Sequence, residues 1–283
     1  MEIIRIPRIA QETCRKHLLK GRSIGFVPTM GALHEGHMSL VRRAKTENDI
    51  TVVSIFVNPI QFGPAEDLHE YPRNTEEDIK KLREAEVDTA FVPDSSLMYP
   101  PHFSTCVEVE GTSRRLCGGQ RPGHFRGVST VVAKLLNIAN PARVYFGQKD
   151  FQQTVIIGRM VKDLNFDVEV VVCPTVREHD GLAMSSRNLY LDDERRKAAA
   201  VLYRSLTAAS DSINAGQRSA KEIRGLMERI LSGEPLVTQI DYASLYDPAT
   251  LEETDEVKDE VLLAVAARLG EVRLIDNVIV NVS

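Results

Sequence analysis

The chain has little cysteine, no long apolar run and no excess of positive charge. Its four cysteines, Cys14, Cys106, Cys117 and Cys173, show no C-x-x-C pair and no regular spacing. That pattern excludes a disulfide framework and the usual cysteine-based zinc site, and isolated thiols of this kind are expected as small buried hydrophobes. The longest strongly apolar run, Ile50–Val57, falls far short of the roughly 20 residues that span a bilayer. Met1–Lys20 carries charges throughout with no continuous apolar segment, so no secretion signal is expected and the chain is read as cytoplasmic, with no membrane partner. Lys and Arg total 35 against 40 Asp and Glu, a formal net charge of −5. Such an acidic balance excludes a dedicated nucleic-acid surface, which needs concentrated cations, but leaves room for a local basic pocket. Internal repeats and low-complexity tracts are absent as well.

What is present is 283 residues, 43% apolar and 27% charged, an ordinary composition for a folded chain and a length that suits two domains. Strand-like and helix-like segments alternate in the first part. Ser23–Pro28 is a short apolar run, and Glu35–Thr46 places Met38, Leu40, Val41 and Ala44 at helical spacing. Ile50–Val57 is β-branched and unalternating, as expected of a strand buried on both faces. Asn74–Ala85 predicts an exposed amphipathic helix and Thr89–Val92 a strand. Val128–Ala139 predicts a helix, Arg143–Phe146 a strand, Phe151–Leu164 a helix and Val168–Val172 another buried strand. Repeated strand–helix–strand units imply a parallel sheet with helices on both faces, whose ligands bind at the carboxyl ends of the strands. By that rule Pro28–His37, Asn58–Gly63, Gly147–Asp150 and Pro174–Arg187 should converge on one cleft.

Composition changes near residue 178. Glu178–Asn188 is polar and loop-like; Asp192 or Asp193 then suits the cap of a long helix to about Asn214, with Gly216 as its stop. A second helix over Ser219–Leu231 and strands at Thr238–Tyr246, Glu260–Arg268 and Val272–Val280 predict a small α+β domain.

Four segments carry chemistry. Met30-Gly31-Ala32-Leu33-His34-Glu35-Gly36-His37 follows the first apolar strand directly. Two imidazoles three residues apart at a helix start share one face, and the free N–H groups and positive dipole end of that helix favour bound phosphate. Gly31 and Gly36 let backbone approach a ligand closely. The spacing matches neither G-x-G-x-x-G nor a P-loop, nor the i,i+4 histidines of zincins; a metal site, or loop histidines without a role, stays open on the residues alone. In Gly147-Gln148-Lys149-Asp150, Lys149 is a mobile point charge for phosphate oxygens and Asp150 an acceptor for a ribose hydroxyl. Met184-Ser185-Ser186-Arg187-Asn188 offers two hydroxyls and a guanidinium in a segment without periodicity, suited to a lid over a triphosphate. Gln61, in Val57–Gly63, supplies donor and acceptor together for a small hydroxy acid. Each of these last three is equally an ordinary turn when it stands alone, and the basic Arg121–Gly127 loop is no stronger.

Together the stretches PTMGALHEGH (28–37), VNPIQFG (57–63), RPGHFRGV (121–128), FGQKDFQQ (146–153), MSSRN (184–188) and RLIDN (273–277) resemble the pantothenate synthetase (pantoate–β-alanine ligase) family, in the right order and over nearly the whole chain. The resemblance implies a Rossmann-like nucleotidyltransferase domain of the H-x-x-H superfamily over residues 1–177 that binds ATP and pantoate, a small α+β lid domain over 178–283, and a homodimer. It implies an acid–amino-acid ligase that joins pantoate and β-alanine through pantoyl adenylate, with ATP and Mg²⁺. Residues 30–37, 147–150, Val176 and 184–187 would contact ATP; Gln61 and Gln153 would hold pantoate, Gln61 also lying near β-alanine. His34, His37, Lys149 and Arg187 would carry catalysis. The rivals are an adenylyltransferase acting on a phosphate ester, an aminoacyl-tRNA synthetase-like core and a nucleotide sensor without catalysis. The acidic chain has no basic extension for tRNA.

Overall fold

A computed structural model describes residues 1–64 and 66–282. The chain forms two compact units, one of 1–147 with 152–174, the other of 148–151 with the residues from Thr175 onward.

The first unit is a six-stranded parallel sheet. Its strands are β1 (Glu2–Ile4), β2 (Ile24–Thr29), β3 (Ile50–Ile55), β4 (Thr89–Phe91), β5 (Arg143–Gly147) and β6 (Glu169–Cys173), in the order β1-β4-β3-β2-β5-β6. Its helices are α1 (Pro7–Leu18), α2 (Glu35–Glu47), α3 (Thr75–Glu84), the short α4 (Ser95–Met98) and α5 (Leu116–Gln120), α6 (His124–Ala139) and α7 (Phe151–Asp163). This is the parallel α/β sheet that the alternating pattern predicts and the Rossmann-like class that the resemblance implies. From β2 the sheet grows one way through β3 and β4 and the other way through β5 and β6, so the strand order reverses between β2 and β5. In open α/β sheets the crevice for ligands opens at such a reversal, beyond the carboxyl ends of the strands.

Several predicted features need correction. β1 and α1 are not expected from the charged N-terminus; α1 starts at Pro7, whose fixed φ suits a first helical position, and buries only Ala10 and Cys14. β6 is an edge strand with Val172 exposed, where a strand buried on both faces is expected. α6 begins a turn earlier than Val128, because Gly123 adopts a left-handed conformation (φ 82°) that lets helix start at His124. α3 is not merely an exposed helix: Asp78 and Leu82 are buried, Leu82 packing with Val41, Val53 and Ala90 in the core.

The second unit contains α8 (Asp193–Ala198), α9 (Val201–Asn214), α10 (Ala220–Ser232) and an antiparallel sheet of β7 (Val237–Tyr246), β8 (Glu260–Leu269) and β9 (Val272–Asn281), in the order β7-β8-β9. The single predicted helix over 192–214 is interrupted at Ala199 and Ala200. Its start is as expected, the Asp192 side chain accepting from the Arg195 N–H at 2.8 Å. Leu202, Leu206, Ile213, Ile223, Met227 and Leu231 from the helices close a core with Leu263, Val265 and Leu269 of β8. The change of unit falls after Pro174, three residues before the expected boundary, and 148–151 group with the second unit. The grouping has a local cause, since the Asn277 side chain of β9 donates to the carbonyls of Gln148 and Lys149.

Leu82→Ala should cost about 2–5 kcal/mol of stability, the range for emptying a fully buried leucine site, measured by denaturant unfolding; a loss under about 0.5 kcal/mol, typical of surface changes, would show that α3 is not part of the core.

Candidate active site

The turn between β2 and α2 is built by backbone requirements. Gly31 (φ 85°) and Ala32 (φ 50°) are both left-handed, and a Cβ on Gly31 would lie 2.9 Å from an Asp78 carboxylate oxygen. That contact is tight because Asp78 closes on the turn: its Oδ2 accepts from the Ala32 N–H at 2.9 Å and its Oδ1 from the Leu33 N–H at 2.7 Å. Lys81, one turn along α3, donates to the Leu33 carbonyl at 2.7 Å. Burial pushes the Asp78 carboxyl above the ordinary aspartate range, against the pull of the Leu33 and Ala32 N–H groups and of Lys81. From the β2 side, the Thr29 hydroxyl accepts from the Gly31 N–H at 3.2 Å and donates to the Ser54 carbonyl at 2.7 Å.

The turn delivers His34 as the N-cap of α2 and His37 as its third residue, in a reciprocal capping arrangement. His34 Nδ1 accepts from the Gly36 N–H at 3.1 Å, and His37 Nδ1 lies 3.4 Å from the His34 N–H. Assigned from these contacts, each neutral ring carries its proton on Nε2, as a donor. The ring centroids are 4.1 Å apart, so both donors sit over one helix end. The Glu35 side chain is exposed and pairs with Arg42.

Beyond β3, Gln61 is buried and its amide is oriented by a relay. The Tyr99 hydroxyl donates to Asn58 Oδ1 at 2.7 Å, leaving Asn58 Nδ2 to donate to Gln61 Oε1 at 2.9 Å and to the Gly127 carbonyl at 3.1 Å. Gln61 Nε2 is thereby directed at the Met30 sulfur, 3.1 Å away, which brings VNPIQFG and the histidine turn together. His124 fixes the backbone beneath: a guanidinium only donates, so Arg121 gives to Nε2 (3.0 Å) and Nδ1–H donates to the Gln61 carbonyl (2.8 Å). A side chain at position 127 would meet the Ile60 carbonyl at 2.4 Å, so only glycine lets α6 approach this turn. On α7 Gln153 is half-buried, whereas its neighbour Gln152 is buried and holds the Cys117 N–H and the Thr112 and Arg115 carbonyls at 2.7–3.0 Å. Gly147 ends β5, next to β2 in the sheet.

The second unit holds the other predicted contacts. Gln148–Asp150 forms a 3-10 turn in which Lys149 Nζ lies 3.4 Å from Asp150 Oδ1. The stretch after Thr175 is not the unstructured loop that its lack of periodicity predicts. Val176 and Met184 are joined by a backbone hydrogen bond of 3.0 Å, Arg177 bridges Ala183, and Gly181 turns the hairpin at φ 92°. Ser185 caps the following 3-10 turn (Ser186–Tyr190), its hydroxyl accepting from the Arg187 N–H at 3.3 Å, and Ser186 is buried. Arg196 of α8 ties the hairpin through Asp180 (2.6 Å) and Glu178 (3.1 Å). Sequence reasoning missed Asp78, Lys81 and Tyr99. It quoted Asn58, His124, Asp276 and Asn277 within motifs without giving them a task; a buried carboxylate on a helix that otherwise looks solvent-facing leaves no signal in one sequence.

A parallel α/β sheet with two imidazoles capping a helix beside the strand-order reversal defines the class, a Rossmann-like α/β protein whose helix start suits an anionic ligand. The family model for pantoate-beta-alanine ligase matches residues 2–279. A pantothenate synthetase of Thermodesulfovibrio yellowstonii is 57% identical over 281 residues, covering 99% of this chain and 100% of that protein. The crystal structure of the pantothenate synthetase from Thermus thermophilus matches with a TM-score of 0.94 at 46% identity, over 98% of this chain and 99% of that one. The pantoate-beta-alanine ligase of Francisella tularensis, solved in complex with beta-gamma ATP and beta-alanine, matches at 0.81 and 36% identity, over 98% of this chain and 97% of that one. The chain belongs to the pantoate–β-alanine ligase family and is an amide-forming ligase.

Asp78→Asn keeps the shape but turns one acceptor into a donor facing a buried N–H; it should cost about 1–3 kcal/mol in denaturant unfolding and lower turnover, and an unchanged variant would remove the clamp. The Arg196 guanidinium holds the Asp180 carboxyl below the ordinary aspartate range. Its contribution is therefore complete above the unfolded value of about 3.9 and is lost as pH falls through the lower folded value. Asp180→Asn should lose that increment at neutral pH and show a flatter dependence of thermal stability on acid; parallel curves for the two proteins would contradict the assignment.

Proposed function

We propose that this ligase condenses pantoate with β-alanine through pantoyl adenylate. The observation that carries the reading is the pair of imidazoles that cap α2 through Nδ1 at the carboxyl end of β2 and so carry their N–H on Nε2, where the helix dipole also favours anionic oxygens. Met30, Gly31, Ala32, Leu33, His34, Glu35, Gly36 and His37, with Gly147, Gln148, Lys149, Asp150, Val176, Met184, Ser185, Ser186 and Arg187, bind ATP. Gln61, its amide set by Asn58, and Gln153 hold pantoate, Gln61 also facing β-alanine.

A carboxylate is a poor acyl donor because oxide leaves badly, and adenylation replaces it with AMP. A pantoate oxygen attacks the α-phosphorus, the bond from that phosphorus to the bridging oxygen breaks, and pyrophosphate departs. Charge grows on phosphate oxygens, so the step needs alignment and fixed positive charge more than covalent help. His37 and His34 donate from Nε2, and Lys149 and Arg187 add charge. The β-alanine nitrogen then attacks the acyl carbon, the C–O bond to AMP breaks, and the surplus proton leaves to solvent. Among the described residues no cluster of three or more His, Cys, Asp or Glu is arranged to hold a metal ion. Mg²⁺ accompanies the triphosphate, a mode usual for this cation, and ATP·Mg is written as substrate. No helix among the described residues is long and apolar enough to cross a membrane; an ATP-driven synthesis fits a cytoplasmic enzyme, and family likeness supports a homodimer.

His37→Ala and Lys149→Ala should each lower kcat by about 10²–10³, the usual cost of one transition-state donor, at saturating ATP. Near-normal turnover in either would remove that residue from the scheme. Exchange of labelled pyrophosphate into ATP should require pantoate and proceed without β-alanine; exchange that ignores pantoate would favour an adenylyltransferase of another kind.

A further inference from the structure

The segment RLIDN, Arg273–Asn277, has no task in that mechanism, yet it holds two of the few buried polar residues of the second unit. Asp276 and Asn277 lie on β9, opposite Val265 and Ala264 of β8, and are 2% and 4% exposed. Asp276 receives a two-pronged guanidinium, Arg177 Nη1 at 2.6 Å and Nη2 at 3.0 Å. The same Arg177 donates to the carbonyls of Gly181 (3.0 Å) and Asn277 (3.3 Å) and lies 3.9 Å over the Tyr203 ring. The base of the 176–184 hairpin is thus fastened to one residue of β9. The next residue fastens a different segment: Asn277 Nδ2 donates to the carbonyls of Gln148 (3.0 Å) and Lys149 (2.9 Å), using both of its hydrogens. Its Oδ1 has no partner among the described residues, so the amide is present for its donors.

A buried ion pair is a poor way to gain stability, because the desolvation of both charges offsets their attraction; in some proteins such a pair serves instead to fix a geometry, and the two-pronged contact of Arg177 with Asp276 is of that form. Here the geometry concerns two segments, 148–150 and 176–187, that lie far apart in sequence and each carry a cation of the proposed ATP site. Lys149 itself is held only loosely, its nearest carboxylate oxygen being 3.4 Å away. What is fixed is the backbone from which it swings.

We propose that Asp276 and Asn277 are positioning residues that hold the Lys149 turn and the Ser185–Arg187 segment at one spacing on a rigid strand, so that both cations meet the same triphosphate. The inference rests on the reading of Lys149 and Arg187 as phosphate contacts.

The test compares Asn277→Asp, Asn277→Ala, Asp276→Asn, Lys149→Ala and the double variant Lys149→Ala/Asn277→Asp in the full chain. Asn277→Asp keeps the size and sets a carboxylate against two carbonyls. It should lower kcat/KM for ATP about ten- to a hundredfold, the scale of a misplaced contact, while KM for pantoate stays within about twofold. Asp276→Asn, which gives Arg177 an amide in place of a carboxylate, should shift the ATP parameter in the same direction. If the introduced charge prevents folding, Asn277→Ala carries the same expectation without it. In the double variant the loss should be much smaller than the product of the single losses, because Asn277 acts through the Lys149 turn. Folded Asn277 variants with kcat/KM for ATP within about twofold of the parent would overturn the proposal. So would equal losses toward ATP and pantoate, or fully multiplicative effects in the double variant. Lys149→Ala with unchanged ATP parameters would instead strike the underlying reading of the site.

Discussion

The Asp78 carboxylate, reaching from α3 to the Ala32 and Leu33 amides, sets where α2 can begin. A left-handed alanine, Ala32, is a costly way to leave a strand, and such a turn persists only when its surroundings hold it. With the turn held, His34 falls at the cap position, its Nδ1 is consumed by the helix amide of Gly36, and Nε2 is left as the donor. The chemical character of the imidazole pair thus depends on a carboxylate that acts on the backbone of the turn before them.

The second unit uses the same device. Asp276 and Asn277, buried on β9, fix a hairpin and a 3-10 turn through side chain-to-backbone and guanidinium bonds. In both units a polar side chain on a regular element holds the backbone of an irregular segment, and the segment carries residues that the proposed mechanism assigns to ATP. Rigid elements suit this task, because a site held on loops alone would drift by more than catalysis tolerates.

Much of the framework is legible along the chain. Ile50–Val57 is β-branched without alternation because β3 lies inside the sheet, and the helical spacing of Leu40, Val41 and Ala44 marks the face of α2 that enters the core. Asp192 caps α8 as its residue type suggests. Other features escape for identifiable reasons. α1 buries only two side chains, too few to impose a period on its composition. β6 has the apolar sequence of an inner strand but no neighbour on one side, and sheet order is a property of the whole assembly. The 176–184 hairpin is joined by a bridge and a few backbone bonds and is otherwise held by side chains from elsewhere, so no periodicity announces it.

The sequence alone determined the chemical inventory: which side chains stand at strand ends, that two imidazoles share a helix start, and that the polar motifs occur in the order of one ligase family. These are local or linear properties, and residue type and spacing suffice for them. Tertiary structure decided which of those groups are oriented and by what. The tautomers of His34 and His37, the direction of the Gln61 amide and the anchoring of Lys149 depend on Asp78, Asn58, Tyr99 and Asn277. A hydrogen bond needs its partners within about 3 Å in space, and separation along the chain carries no record of that distance.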